Sequence, residues 1–290
     1  MPTGLPITNP NPQPGDTQVN IYGYVPWLGL GVSAVILFAL CLFAHITYGT
    51  PFSNIVTFEI LFSIGCILEV IGYGFRTASS SHPYRLVFFI VNYFMIVVAP
   101  VFFSAALYYS LTVILQRLES PQDLLPISGR TIIAIFVTAD VITIIIQIAG
   151  AALIGVSESN LADDKIPPLT PDQANDILRA GLAIQVFFFS IYLILLAILL
   201  VRWKQYQARK HLQVKRQQFL FCVLTISSLL VYLRTVFRLI ESATGVESSA
   251  TRNQGLFAAL ETVPIMTAVL LWTLFPLRFL TRMSDSEDPV

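Results

Sequence analysis

Charge is what this chain has least of: Asp, Glu, Lys and Arg make up 12% of its 290 residues, where a soluble domain carries about 25%. That excludes an ordinary water-soluble domain. With 17 basic and 17 acidic residues the formal charge is zero, so no basic excess points to a nucleic acid partner. Cysteine is scarce as well. Cys41, Cys66 and Cys222 all lie inside apolar runs, so no pair of loop cysteines offers an extracellular disulfide, and such thiols read as packing residues. The three histidines, His45, His82 and His211, fall on different segments without ligand spacing, which argues against a metal enzyme. Neither a G-x-x-x-x-G-K-[ST] phosphate loop nor a G-x-S-x-G elbow occurs. The chain therefore reads as no enzyme, hydrolysing no ATP and needing no cofactor.

What is abundant is hydrocarbon. Hydrophobic residues make up 55% of the chain and the mean hydropathy is +0.73. Windows of about 20 residues, the length that crosses a hydrocarbon core, mark seven spans at about residues 26–48, 54–75, 86–115, 131–156, 177–201, 217–240 and 256–275. The predicted fold is all-α, a polytopic membrane protein with a seven-transmembrane-helix bundle over residues 21–280. Residues 1–20 are rich in Pro and Asn and lack a basic region or small-residue cleavage site, so they read as a disordered exoplasmic tail and not a signal peptide. Residues 281–290 form a short cytoplasmic tail. Pro100, near the middle of the third span, predicts a kink.

Orientation follows from Lys and Arg. The segment between the fifth and sixth spans holds Arg202, Lys204, Arg209, Lys210, Lys215 and Arg216, whereas the loop before the fifth span has Lys165 among five acids. The basic segment is expected on the cytoplasmic side, which puts the N-terminus outside and the C-terminus inside. Membrane lipids are expected partners, since basic residues near an anionic leaflet each contribute about 1 kcal/mol. Thr170, Pro171, Asp172 and Gln173 form a capping-box pattern with Pro at the first helical position, so the fifth helix should begin there, ahead of the hydrocarbon.

The few charges inside the spans are arranged, not scattered. In EVIGYGFR, Glu69, Gly72, Tyr73 and Arg76 fall on one helical stripe, and Arg76 should lean back toward Glu69. Arg234, Arg238 and Glu241 share a face of the sixth span. Two arginines one turn apart repel, so they need acids, and Glu69, Glu241 and Glu261 lie at compatible depth. Asp140 and Gln147 sit two turns apart on one stripe of the fourth span. A charge at mid-membrane costs about 2.5 to 3.5 kcal/mol on insertion scales, so these residues should face inward, either as ion pairs that set helix register or as a substrate or proton path. Glu59, near the inner end of the second span, and Glu241, near an outer end, also fit an ordinary interface role. Counting Glu59, Glu69, Asp140, Glu241 and Glu261 against Arg76, Arg234 and Arg238 leaves two excess carboxylates at membrane depth. That excess suits a cationic amphiphile whose tail stays in lipid while Tyr73, Tyr93 or Tyr108 contacts its head.

The motifs EVIGYGFR, APVFFSAALYYSL, IFVTADVITIIIQIAGAAL and LRTVFRLIESATG together resemble the fungal lipid-translocating exporter family, the RTA-like seven-helix proteins, over about residues 20 to 280. The resemblance implies export or flipping of amphiphilic lipids such as sphingoid long-chain bases, resistance to aminosterol-like toxins, and a multi-pass place in the cell membrane, most simply the plasma membrane. It puts the family's characteristic positions on Glu69, Gly72, Tyr73, Arg76, Pro100, Asp140, Gln147, Gly150, Arg234, Arg238, Glu241 and Gly245. Where that family usually has an acidic residue, a Tyr and an Asp before its final Pro-x-Met, this chain has Gln254, Ala258 and Glu261. The residues themselves leave a seven-helix receptor or sensor and a passive scramblase open as alternatives, and oligomeric state is not legible.

Overall fold

The computed structural model describes residue 9 and residues 24–49, 55–116, 128–162, 169–210, 215–244 and 254–277. Both expected tails, residue 9 aside, lie outside these residues, as does Gly245. Among the described residues, seven helices are long and apolar enough to cross a membrane. They are α1 (Leu28–Tyr48), α2 (Val56–Ser81), α3 (Leu86–Gln116), α4 (Gly129–Ala162), α5 (Pro171–Lys210), α6 (Lys215–Thr244) and α7 (Gln254–Leu274). The all-helical membrane fold expected from hydropathy is therefore the observed one. This is a multi-pass membrane protein.

Local chemistry sets the helix limits. Before α5, the Thr170 amide donates to Gln173 Oε1 at 3.0 Å and the Gln173 amide donates back to Thr170 Oγ1 at 3.3 Å, so the capping box forms as the sequence pattern requires. Ser128 opens α4 in a simpler way, its hydroxyl accepting from the Thr131 amide at 3.2 Å. At 40 residues α5 is about 60 Å long, twice the hydrocarbon thickness. Its basic end, past Val201, therefore runs beyond the apolar slab.

The helices close into a ring in chain order, with α7 returning to α1, and α3 also meets α6 across the middle. This cross-contact divides the interior into two lobes. One is enclosed by α1, α2 and α7, the other by α4 and α5, with α3 and α6 shared. Large apolar side chains such as Leu40, Phe43, Ile145, Phe187 and Leu274 are exposed, whereas Glu69, Arg76, Asp140, Gln147, Arg234, Arg238 and Glu261 are buried. A soluble protein would show the reverse. Here lipid is the outer solvent and the polar groups find partners only within the bundle.

Close backbone approach holds each lobe together. In the second lobe, a Cβ on Gly150 would stand 2.6 Å from the Leu178 amide nitrogen, and one on Gly181 would stand 3.1 Å from the Thr143 carbonyl. Small residues from both helices thus let α4 and α5 touch along their backbones. In the first lobe a Cβ on Gly72 would lie 2.8 Å from Ile96 Cγ1, so α2 seats against α3 beside Glu69.

Candidate functional site

The charged cluster is built where α2, α3, α6 and α7 converge. Its centre is Glu261. One oxygen of that carboxylate, Oε1, accepts from Arg234 Nε at 3.0 Å and from Arg234 Nη2 at 2.7 Å, and it also accepts from Arg238 Nη2 at 2.9 Å. Arg238 turns its other nitrogen, Nη1, to Glu241 Oε2 at 2.9 Å and stands 5.2 Å from the centre of the Tyr93 ring. The two like charges one turn apart on α6 are thus reconciled by one shared acid on α7 and one acid on their own helix.

Pro100 explains a further contact. Proline has no amide hydrogen, so the carbonyl four residues earlier, that of Ile96, loses its helical donor. Arg234 Nη2 supplies the replacement at 2.9 Å, while α3 continues through Pro100 without a break. Such freed carbonyls in membrane helices are tolerated when a neighbouring group satisfies them. Pro100→Ala is therefore expected to restore the helical bond and to raise stability by up to about 3 kcal/mol, while freeing Arg234 from its anchor. Thermal unfolding together with transport per folded molecule checks this; a stabilised variant of unchanged activity would show that the anchor is not needed.

Glu261 also lies in an unusual stretch of backbone. Residues Ala258–Thr262 form a π-turn inside α7, with the Val263 amide bonded to the Ala258 carbonyl. Pro264 follows at the start of the next helical segment and has no amide with which to hold the ladder to its α register. The wide turn swings Glu261 and Thr262 inward together, and π-turns of this kind concentrate at functional sites. Thr262 Oγ1 accepts a hydrogen bond from Tyr73 OH at 2.6 Å, which ties α7 to α2.

Glu69 differs from Glu241 and Glu261 in making no ion pair among the described residues, whereas each of those two holds an arginine, although Glu261 Oε2 is likewise buried without a partner. Glu69 is 2% exposed and lies in the electrostatic field of Arg234, Glu261 and Arg238, yet its Oε2 has no hydrogen-bond partner among the described residues. Arg76 is not its partner. The expected lean of Arg76 toward Glu69 gives way to two aromatic contacts: its guanidinium lies 4.0 Å from the centre of the Phe257 ring and donates to Tyr24 OH at 2.9 Å. Seven residues of helix separate the two by about 10 Å, and the planar guanidinium gains more from a ring face within reach. Phe257 also stands 6.0 Å from Arg238, so Arg76 joins the cluster through an aromatic ring.

The other sequence-selected residues are elsewhere. Asp140 is buried in the second lobe, accepting from Tyr108 OH at 3.1 Å, and Tyr108 in turn packs edge-on against Tyr192 at 4.7 Å. Among the described residues no ion pair joins Asp140 to Arg234 or Arg238. Gln147 donates to Gln185 Oε1 at 2.8 Å and bridges α4 to α5. Glu59 leaves the group altogether. It is not an interface residue but is 1% exposed and bound to His45, with Glu59 Oε2 and His45 Nδ1 2.6 Å apart. The excess of two carboxylates counted along the sequence thus consists of Asp140 and Glu59, each in a site of its own. The first-lobe cluster itself balances, Glu69, Glu241 and Glu261 against Arg76, Arg234 and Arg238. Among the described residues no group of His, Cys, Asp and Glu is arranged to hold a metal ion.

These features define a seven-helix membrane protein with a closed, charge-balanced polar core. A profile described as RTA1 like protein matches residues 62–284, and the chain belongs to that family. Among its relatives in Saccharomyces cerevisiae, the Sphingoid long-chain base transporter RSB1 of strain Lalvin EC1118 is 25% identical over 92% of this chain and 76% of its own length. Protein RTM1 is 25% identical over 72% of this chain and 63% of its own. Protoporphyrin uptake protein 1 is 27% identical over 73% of this chain and 66% of its own. For the last two the match spans less than two thirds of the relative. No solved structure matches the chain.

Proposed function

We propose that this protein moves cationic amphiphiles, of the long-chain amine class, across the membrane, and that Glu69 receives the ammonium head. The observation that carries this reading is the unsatisfied carboxylate. Glu69 is buried among charges, and its Oε2 has no donor. An ammonium offers three donors and one charge, which is what that oxygen lacks. The relatives named as a sphingoid long-chain base transporter and a protoporphyrin uptake protein support transport of amphiphiles as the family's business.

Charge balance favours exchange with a proton. With Glu69 ionised the cluster is neutral, so an ammonium added alone would leave a positive charge in a low-dielectric core. If the empty site holds Glu69 protonated, the core already carries one positive charge, and an ammonium that displaces the proton adds no further charge to it. The tail needs no polar surface and stays in lipid between helices. The buried state of Glu69, Arg234 and Glu261 represents the closed conformation, and loading requires α2 or α7 to part from α6. We place the Arg76 end on the outer side and the basic end of α5 in the cytoplasm of the plasma membrane, with no nucleic acid or cofactor involved.

Purified protein in liposomes, given a fluorescent long-chain amine, tests this. The expected result is protein-dependent movement between leaflets that quickens when a proton gradient opposes the amine. Movement equal to that of empty liposomes would reject transport, and movement indifferent to the gradient would leave a passive scramblase.

A further inference from the structure

We propose that the cleft between the basic end of α5 and the start of α6 binds one acidic phospholipid of the adjoining leaflet, with the phosphate at Lys204 and an acyl chain running toward Ile226. The cleft has a volume of about 790 Å³, within the range of small-molecule sites. Trp203, Lys204 and Gln207 line it from α5, and Gln218, Phe221 and Cys222 from α6. Each set falls on one helical face. Gln207 meets Gln218 and Trp203 meets Phe221, so the two walls run in opposite directions and Leu200 falls at the same end as Thr225 and Ile226.

The chemistry changes along the cleft. At one end Lys204 and Gln218 are exposed, and Gln218 Nε2 donates to Gln207 Oε1 at 3.4 Å, which joins the two walls by their amides. Lys204 lies three residues past Val201, where α5 leaves the apolar slab, so its ammonium stands at headgroup depth. The back wall is aromatic: the Trp203 and Phe221 rings are 4.6 Å apart and each is 2% exposed, and tryptophan at a membrane interface is at its preferred depth. At the other end the lining is hydrocarbon. Leu200 and Ile226 face the cleft, and Thr225 donates its hydroxyl hydrogen to the Phe221 carbonyl at 2.7 Å, which leaves its methyl group for the ligand. Gln207 and Leu200 are separated by about 10 Å of helix. A cationic, hydrogen-bonding mouth over an apolar trough matches a headgroup with its chain, whereas a soluble anion would use only the mouth.

Charge selects among lipids. A lysine supplies three donors and no acceptor, and Arg209, Lys210, Lys215 and Arg216 follow in the sequence, so the potential at the mouth favours an anion. A zwitterionic lipid brings its own cation to that mouth, and a long-chain amine is repelled from it. Gln218 lies about 24 Å along α6 from Arg234, so the cleft is separate from the charged cluster and does not rest on the amine reading.

Native mass spectrometry of the purified full chain in detergent, offered equal amounts of phosphatidylserine and phosphatidylcholine with identical acyl chains, tests this. One phosphatidylserine should be retained per chain, with a preference of about fivefold over phosphatidylcholine, the effect of one lysine on an acidic lipid. Lys204→Gln should bring that ratio close to one. Arg202→Gln, which removes an equal charge from another face of α5, should leave it in place. Both side chains are exposed, so neither change opens the core. Cys222, also exposed, offers a route without any change of charge: Cys222→Phe fills the trough and should lower phosphatidylserine retention. Glycerophosphoserine, the same headgroup without chains, should not compete. Equal retention of the two lipids, retention that Lys204→Gln or Cys222→Phe leaves unchanged, an equal loss with Arg202→Gln, or displacement by glycerophosphoserine overturns the proposal, and each of these results leaves the transport reading untouched.

Discussion

Glu261→Ala is expected to eliminate most of the folded protein. The change strips Arg234 and Arg238, which are 1% and 6% exposed, of the one carboxylate they share, and leaves two guanidinium groups repelling each other within one turn of α6. Removing one partner from a buried charged set costs about 3 to 5 kcal/mol, comparable with a marginal protein's whole stability. Glu261→Gln should be milder, because the amide oxygen still accepts from both arginines although the charge is gone. The cost is one of stranded charge and not of lost bonding, and that distinction is testable. Combining Glu261→Leu with Arg234→Met and Arg238→Met removes the shared acid and both of its arginines together, leaving Glu241, whose side chain is 15% exposed, without Arg238. Adding Pro100→Ala returns a helical donor to the Ile96 carbonyl that Arg234 had satisfied. This four-fold variant should recover folding, since exchanging a whole buried ion set for apolar groups is often neutral or stabilising. It should not recover transport. Size-exclusion profiles of detergent extracts measure the first result, and the liposome assay measures the second. A folded and active four-fold variant would show that the cluster is scaffold.

That cluster was only partly legible in the sequence, and the residues show why. Helix periodicity put Arg234, Arg238 and Glu241 on one face, and the need for an acid at equal depth brought Glu261 into view. Both inferences use only the rise and turn of a helix. What escaped depends on which helices neighbour one another. Asp140 has the same depth argument as Glu69, but α4 lies in the other lobe, so its partner is Tyr108. Arg76 shares a stripe with Glu69, but Phe257 of α7 is nearer to its guanidinium. The π-turn has a local signal, Pro264 two residues beyond it, but proline near a helix start most often marks the first turn. His45 and Glu59 escaped for another reason. Fourteen residues and a loop separate them, a spacing that matches no metal motif, and only the closure of α7 against α1 turns two residues near helix ends into a sealed pair.

Glu69→Gln is expected to do the opposite of Glu261→Ala, keeping the fold and losing the function. A buried carboxylate whose Oε2 lacks a donor is a liability to stability, because desolvation is not offset by hydrogen bonds. Replacing it with an amide of the same shape should leave the amount of folded protein unchanged or raise it, and Glu69→Met should do so more clearly. Binding of a long-chain amine should fall. A hydrogen bond to a charged group contributes about 1.5 to 3 kcal/mol, so affinity should weaken about ten- to hundredfold. Transport driven by a proton gradient should disappear altogether, since an amide carries no proton to exchange. This combination, greater stability with lost activity, distinguishes a residue kept for function from one kept for packing. If Glu69 served only to balance Arg234 and Arg238, its removal would leave a positive excess in the core and the folded amount would drop as it does for Glu261. Surface abundance and amine tolerance measured on the same cells separate the two. Full tolerance at normal abundance in Glu69→Gln cells would mean that the ammonium binds elsewhere, and Asp140, the remaining acid with a tyrosine beside it in the second lobe, would be the next residue to exchange.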